Sequence, residues 1–297
     1  MKKVLTCPAG IGDFSWVWSK LVHVKDEIEK ISIVDGWPNR TTPYVELCGM
    51  KSDYVPIDYT AIQMNMALHK CQRWEEYRVH PVASMCTSAN YHLELGHRLE
   101  EWLPDLPTDF HYPLFVKPET SKKAVSLLAD LKHPIVGISC ASYRGSEAWK
   151  TWGRAEWVDL LLRIQAEGWQ PLLLGGFWDD LTYTVGCELD LPDLVGKTDV
   201  ETAVAILDLL DGYIGFSSGL GVVRTVLDRS ALMLWPAHQK ELSDSWAPPD
   251  MLESRRYTAI QWNPVADVWP VVKRHLQIAP DRGTRKESTS WQAEAQA

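Results

Sequence analysis

Val4-Leu5-Thr6-Cys7-Pro8-Ala9-Gly10-Ile11-Gly12-Asp13 opens the chain, and Ile31-Ser32-Ile33-Val34-Asp35 answers it after one amphipathic stretch. That stretch, from Phe14 to about Lys30, puts Trp18, Leu21, Val22 and Ile28 on one side of a helix. A short apolar strand, a glycine-bearing turn, a helix and a second strand make a βαβ unit. Its strands run parallel, because the crossover helix returns the chain to the same end of the sheet. Val55-Pro56-Ile57 reads as a third strand, and Tyr91–Trp102 as a helix.

Working outward, the same rhythm fills the second half. A helix over Ser121–Leu131 leads to strand Ile135–Cys140 and then to a polar loop, Ala141–Gly153. Helix Ala155–Glu167 carries Trp157, Leu160, Leu161 and Ile164 on one face and stops at Gly168, a residue suited to a helix C-terminus. Strand Pro171–Leu174 ends at Gly175-Gly176, and Leu194-Val195-Gly196 reads as a further short strand. Thr198-Asp199-Val200-Glu201 has the pattern of a capping box before a helix with Ala203, Val204, Leu207 and Leu210 facing inward. Strand Tyr213–Phe216 runs into Ser217-Ser218-Gly219-Leu220-Gly221 and a helix to about Asp228; Ala231–Trp235 is another strand. Pro264–Leu276 is a last helix, free in sequence terms to pack back on the N-terminal half, and Pro280–Ala297 is an aperiodic polar tail read as disordered. The fold class is therefore α/β, with two Rossmann-like domains over residues 1–118 and 119–263, joined near Phe115–Ser121, then the helix at 264–279 and the tail at 280–297.

Composition narrows the function classes. The 297 residues are 45% hydrophobic and 23% charged, ordinary for globular domains. No run of 18 or so apolar residues marks a membrane span, and the start is too short in its apolar part for a secretory signal, so a cytoplasmic protein without integral membrane association is expected. The net charge of −9 disfavours a protein devoted to non-specific phosphate-backbone binding. Six cysteines never fall in a C-x-x-C pair and read as reduced, half-buried thiols. Most of the 15 tryptophans must be core, although indole rings also line sugar and base sites.

In doubly wound sheets, ligands sit beyond the carboxyl ends of the strands. Four such places carry chemistry: Gly10 to Asp13, the basic loop Arg144–Trp152, Gly175-Gly176 with Asp179 and Asp180, and Ser217 to Gly221. Glycine-rich helix openings with a cationic loop suit a diphosphate, which needs backbone N–H donors and positive charge. Neither a full dinucleotide fingerprint nor a Walker A pattern is present, and a nicotinamide oxidoreductase is disfavoured. No Asp-x-Asp pair offers a metal–diphosphate bridge, and His92 and His97 are wrongly spaced for a shared ion, so no metal and no cofactor are expected.

Taken together, Gly10-x-Gly12-Asp13, Lys150-Thr151-Trp152, Trp157 with Leu160-Leu161, Gly175-Gly176, Leu194-Val195-Gly196-Lys197-Thr198 and Ile214-Gly215-x-Ser217-Ser218-Gly219 resemble glycosyltransferase family 9, the ADP-heptose–lipopolysaccharide heptosyltransferases. The likeness is good over 1–35 and 135–236 and poor over 60–118, and it looks like a compact phage-borne or accessory member. It implies a GT-B fold, with residues 1–118 as acceptor domain and 119–263 as nucleotide-sugar domain, and a metal-independent inverting transfer. Residue by residue it implies Asp13 as general base. By the same resemblance Lys150 and Ser218, Gly219 and Leu220 would take the donor diphosphate. By their own chemistry and position Arg144 and Ser217 would join them, Gly175, Gly176, Asp179 and Asp180 would take the donor nucleoside, and Gly10 and Gly12 would form the turn near the acceptor, with Trp16 as an acceptor contact. Two positions depart from the family pattern: Ser217 stands for an Asp and Val222 for a His, with Arg224, one helical turn beyond Gly221, as a candidate compensating cation. The implied partners are a nucleotide sugar and an acceptor that is a glycan, a small molecule or a modified nucleobase. A transferase acting on a hydroxymethylated base in DNA would draw on Lys70, Arg73, Arg78, His80 and Arg98. A non-catalytic sugar-nucleotide-binding protein is the remaining alternative.

Overall fold

β1 (Lys3–Pro8) and α1 (Ile11–Leu21) lead to β2 (Ile28–Asp35), and β1 and β2 pair in parallel. The computed structural model describes residues 3–8, 10–35, 40–56, 99–101, 103–141, 152–235, 247–261 and 263–278. α1 begins three residues before Phe14 and ends at Leu21, well short of Lys30. Val22–Glu27 turns in 3-10 geometry, with Val24 outside helical angles, and Ile28 is already a buried strand residue paired with Lys3. The exposed run Lys25-Asp26-Glu27 has no apolar side to lay on the sheet, so the helix ends before it. α2 (Thr42–Leu47) and β3 (Ser52–Pro56) complete a three-stranded parallel sheet in the order β1-β2-β3. Tyr91–Arg98 and Trp102 lie outside the described residues, and Leu99–Glu101 is a single 3-10 turn.

This first unit, Met1–Phe115, is tied by aromatic rings. Phe14 stacks on Trp18 at 5.8 Å between centroids and meets Tyr44 edge-on at 6.1 Å. The hydroxyls of Tyr44 and Tyr112, both buried, share a 2.9 Å hydrogen bond. Lys20 snorkels beneath the chain that passes over α1, donating to the Leu106 carbonyl at 2.8 Å.

The second unit, Val116–Ala297, carries α3 (Pro118–Leu128), β4 (Ile135–Ser139), α4 (Arg154–Ala166), β5 (Gln170–Leu173), α5 (Asp180–Leu189), α6 (Val200–Leu209), β6 (Gly212–Phe216), α7 (Gly219–Val226), β7 (Ala231–Trp235), α8 (Pro249–Glu253), β8 (Tyr257–Gln261) and α9 (Val265–Ile278). Five parallel strands lie in the order β5-β4-β6-β7-β8. Every residue of β4, β6 and β7 is buried, as expected of central parallel strands covered on both faces.

Three local expectations are revised, and two elements go unread in the sequence. Leu194–Gly196 is not a strand; only an isolated bridge joins Asp193 to Leu173. The cap of α6 is Asp199 rather than Thr198, its carboxylate accepting the Thr202 N–H at 2.7 Å. α5 and the edge strand β8 carry too little periodic signal to be read from sequence. α9, left free to pack on the N-terminal half, sets Val265, Val268, Val272 and Leu276 into the same core as Trp157, Leu160, Leu161 and Ile164 of α4.

Candidate active site

The order β5-β4-β6-β7-β8 reverses direction between β4 and β6. The chain leaves β4 through α4 toward one edge and leaves β6 through α7 toward the other, which opens a crevice at their carboxyl ends. Ser139-Cys140-Ala141 ends β4 there. The loop that follows, with Arg144, Lys150 and Trp149, lies outside the described residues. Trp152, just after it, is buried in the core against Trp157 and donates its indole N–H to the Asn263 carbonyl at 3.0 Å.

Ser217-Ser218 leaves β6, and α7 begins at Gly219, with Ser218 in the N-cap position and no side-chain cap. Ser217, Ser218, Gly219 and Leu220 are all half-buried, and the first-turn amides of α7 point out of the helix as donors for an anion. Tyr213, unremarked in the sequence, organises this end of the sheet. Its ring is fully buried across Gly215, where an added Cβ would come within 2.5 Å of the phenol oxygen. That hydroxyl lies 3.4 Å from Ser218 Oγ, and burial raises its pKa. Glycines at 137, 215 and 221, each with a hypothetical Cβ within reach of that ring, are the signal that could have revealed it.

Beside β4, the Gly175-Gly176 turn separates the two acidic neighbours. Asp180 is exposed in the first turn of α5, open to a ligand's hydroxyls. Asp179 is 5% exposed, and its Oδ2 accepts the Gly176 N–H at 2.6 Å. Its burial argues against direct contact with a ribose and revises the expectation that treated the pair alike. Desolvation pushes Asp179 up to about 7, against the Gly176 hydrogen bond, with the Asp180 charge adding to the rise. Phe177, at the tip of the turn, is 63% exposed and edge-packed on Trp178 at 4.6 Å.

Arg224 is not a cation for phosphate. It is 1% exposed, and its guanidinium donates to the carbonyls of Leu207, Leu210 and Ser230, closing the end of α6. Val222, at the family's histidine position, is buried as well.

In the first unit, Gly10 is the N-cap of α1 at φ 138°, a conformation glycine adopts readily, and Asp13 lies in the first turn, where the helix dipole favours a carboxylate. A Cβ on Gly10 would collide with the Asp13 carboxylate, so the side chain folds back over the turn. Thr41 Oγ accepts the Gly10 N–H at 3.2 Å and fixes that glycine. Asp13, Gly12 and Trp16 are half-buried. Lys70, Arg73, Arg78, His80 and Arg98 lie outside the described residues.

Residues 59–259 match the family described as Glycosyltransferase family 9 (heptosyltransferase). The chain belongs to glycosyltransferase family 9. The match takes in residues 60–118, where the sequence likeness looked poor, and leaves residues 1–35, with Asp13, outside it. Among solved structures, E. coli ADP-heptose LPS heptosyltransferase II is similar at a TM-score of 0.62 and 15% identity, over 94% of this chain and 98% of that one. A family 9 glycosyl transferase from Veillonella parvula DSM 2008 aligns at 0.59 and 12%, over 93% and 92%. E. coli heptosyltransferase WaaC with ADP aligns at 0.54 and 12%, over 94% and 99%. No curated protein matches the sequence. The fold is thus of the GT-B type, with a Rossmann-like sheet in each unit, and the protein is a heptosyltransferase-like glycosyltransferase. No helix among the described residues is long and apolar enough to cross a membrane.

Proposed function

We propose that this family 9 enzyme moves a sugar from a nucleotide-diphosphate donor to an acceptor hydroxyl with inversion, without a metal, and with Asp13 as general base. The observation that carries the reading is the Asp13 carboxylate, held over Gly10 at the mouth of the first βα turn and half-buried rather than sealed in the core. A carboxylate so placed removes the acceptor proton as the new bond forms. In the second unit the departing diphosphate meets the amides at the opening of α7 and the cation of Lys150, which counter the negative charge that grows on the leaving group. Asp180 faces the donor ribose, and the switch-point crevice holds the nucleotide. Two of the similar structures are named for ADP-heptose or hold ADP, so ADP is the first nucleotide to try.

The test is a thermal-shift series with the diphosphates of adenosine, guanosine, uridine and cytidine, followed by transfer assays with the matching sugar donors. A true ligand at 100 times its Kd stabilises by about 2.7 kcal/mol. Binding of none of the four overturns the donor reading. Transfer that persists in excess chelator supports the metal-independent mechanism; loss in chelator, restored by magnesium or manganese, overturns it.

A further inference from the structure

Asp179 combines three features that its neighbours lack. Its side chain is buried at the carboxyl edge of the sheet, one oxygen holds the Gly176 N–H, and the other, Oδ1, is buried with no hydrogen-bond partner among the described residues. Leaving a buried charged oxygen unmatched is costly, and adding a proton there is the least expensive relief. Among the described residues around it, β4 contributes the Cys140 thiol, β6 the Tyr213 phenol, and α5 the neighbouring Asp180 carboxylate; none of these is a cation. The β4 end is itself held to α5, since the Cys140 N–H donates to Thr182 Oγ at 3.2 Å. Tyr213 passes from this cluster to Ser218 at the opening of α7. The Gly175-Gly176 turn rests directly on the carboxylate, because a Cβ on Gly175 would strike Asp179. The Gly196 N–H, donating to the Gly175 carbonyl at 3.0 Å, then ties the next loop to the same turn.

We propose that Asp179 is a positioning residue whose proton state controls donor binding: neutral, it holds the Gly175-Gly176 turn ready for the nucleotide; ionised, it weakens the site. The proposal rests on the reading that this edge of the second unit takes the donor. The proton comes from solvent and lands on Oδ1, converting carboxylate to carboxylic acid, while Oδ2 keeps the Gly176 N–H. An ionised Asp179 adds negative charge to the same sheet edge, one Tyr213 ring away from the α7 opening that is proposed to accept the diphosphate. Binding the anion therefore favours the protonated form, and by linkage protonation favours the anion. The rise of the Asp179 pKa toward neutrality puts this exchange in the physiological range.

The experiment measures the affinity of ADP for wild type and Asp179→Asn from about pH 6 to pH 9. Asparagine keeps an oxygen for the Gly176 N–H and stays neutral throughout. With one linked proton, wild-type affinity should drop on the order of tenfold per pH unit at most above pH 7, beyond any slope that ADP itself imposes on both proteins. Asp179→Asn should lack that extra fall. Parallel profiles overturn the proposal, since a merely structural role would shift both curves without changing their shape. Urea titrations of both proteins from about pH 5 to pH 9 supply a readout that needs no nucleotide. Wild type should lose stability relative to the variant as pH rises to about 7 and run parallel to it above, and parallel curves below about pH 7 overturn the proposal even if ADP binds. If wild type binds none of the four nucleoside diphosphates while the urea slopes differ as expected, the donor reading is what has failed and the proton on Asp179 stands; if another of the four binds in place of ADP, the same pH series is run with it. Should Asp179→Asn not fold, infrared spectra of wild type decide: a neutral buried carboxylic acid present near pH 6 and gone near pH 9 supports the proposal, and its absence near pH 6 overturns it.

Discussion

Two βα turns in this protein share one local design and differ in burial. In the first unit Asp13 follows Gly10 by three residues and folds back over it; in the second, Asp179 follows Gly176 at the same spacing and folds back over the Gly175-Gly176 turn. Asp13 is half-buried at the first turn of α1, whereas Asp179 is sealed at the end of β5 among Cys140, Tyr213 and Thr182. On the proposed reading the same motif serves two purposes. Partial exposure suits the carboxylate proposed to meet an acceptor hydroxyl, while full burial drives a carboxylate toward the neutral form. Sequence spacing alone gives the shared geometry; the depth of each turn decides its chemistry.

The strongest way to break this comparison is Asp13→Asn. Loss of a general base should lower transfer by about 10²–10⁴ while folding and nucleotide affinity stay near wild type, as read by initial rates and calorimetry. Near-normal turnover would reduce Asp13 to a favourable charge at a helix start, and the two turns would then be alike in being structural.

Next in size, Arg224→Ala should cost roughly 3–5 kcal/mol of stability in urea unfolding, because it leaves three buried carbonyls without their donor. Retained stability with lost nucleotide binding would return Arg224 to the phosphate. Lys150→Ala sharpens the contrast from the other side. A charge-assisted contact of about 1.5–3 kcal/mol predicts nucleotide binding weakened roughly 10- to 150-fold with unfolding unchanged. Turnover should fall at least as far, since leaving-group charge grows in the transition state. The smallest effect belongs to Tyr112→Phe, which removes one buried hydroxyl from the pair with Tyr44 and should cost about 1–3 kcal/mol of stability without altering kinetics. A kinetic defect there would tie the aromatic support of α1 to catalysis.

The alternation of strand and helix was legible because amphipathic helices and short apolar strands have different periods. Trp157, Leu160, Leu161 and Ile164 are buried on one face of α4 as their spacing indicates. Boundaries were less legible. The helix read through Lys30 stops at Leu21 because Val24 leaves helical geometry and Ile28 is claimed by the sheet. β8 escaped notice because an edge strand such as Tyr257–Gln261, only half covered, has no continuous apolar run. Among the candidate residues, Ser218, Gly219 and Asp13 stand out in the sequence because they lie at glycine turns before helices. Tyr213 does not, since a tyrosine in an apolar strand reads as core until the glycines beneath its ring are seen together. Arg224 misled for the opposite reason: a cation one turn from a phosphate-like motif looks available, and only burial shows its donors already engaged.

By itself, the sequence determined the α/β class, the parallel direction of the strands, the two Rossmann-like halves and the short list of candidate turns at the strand ends. These follow from local periodicity and from the crossover geometry that any βαβ unit obeys. Only the tertiary structure decided the strand order β5-β4-β6-β7-β8, which places the crevice between β4 and β6, and the unequal depth of Asp13, Asp179, Asp180 and Arg224. Strand order and depth depend on contacts between residues far apart in the chain, and the cost of burying a charge is set by what surrounds it rather than by its neighbours in sequence.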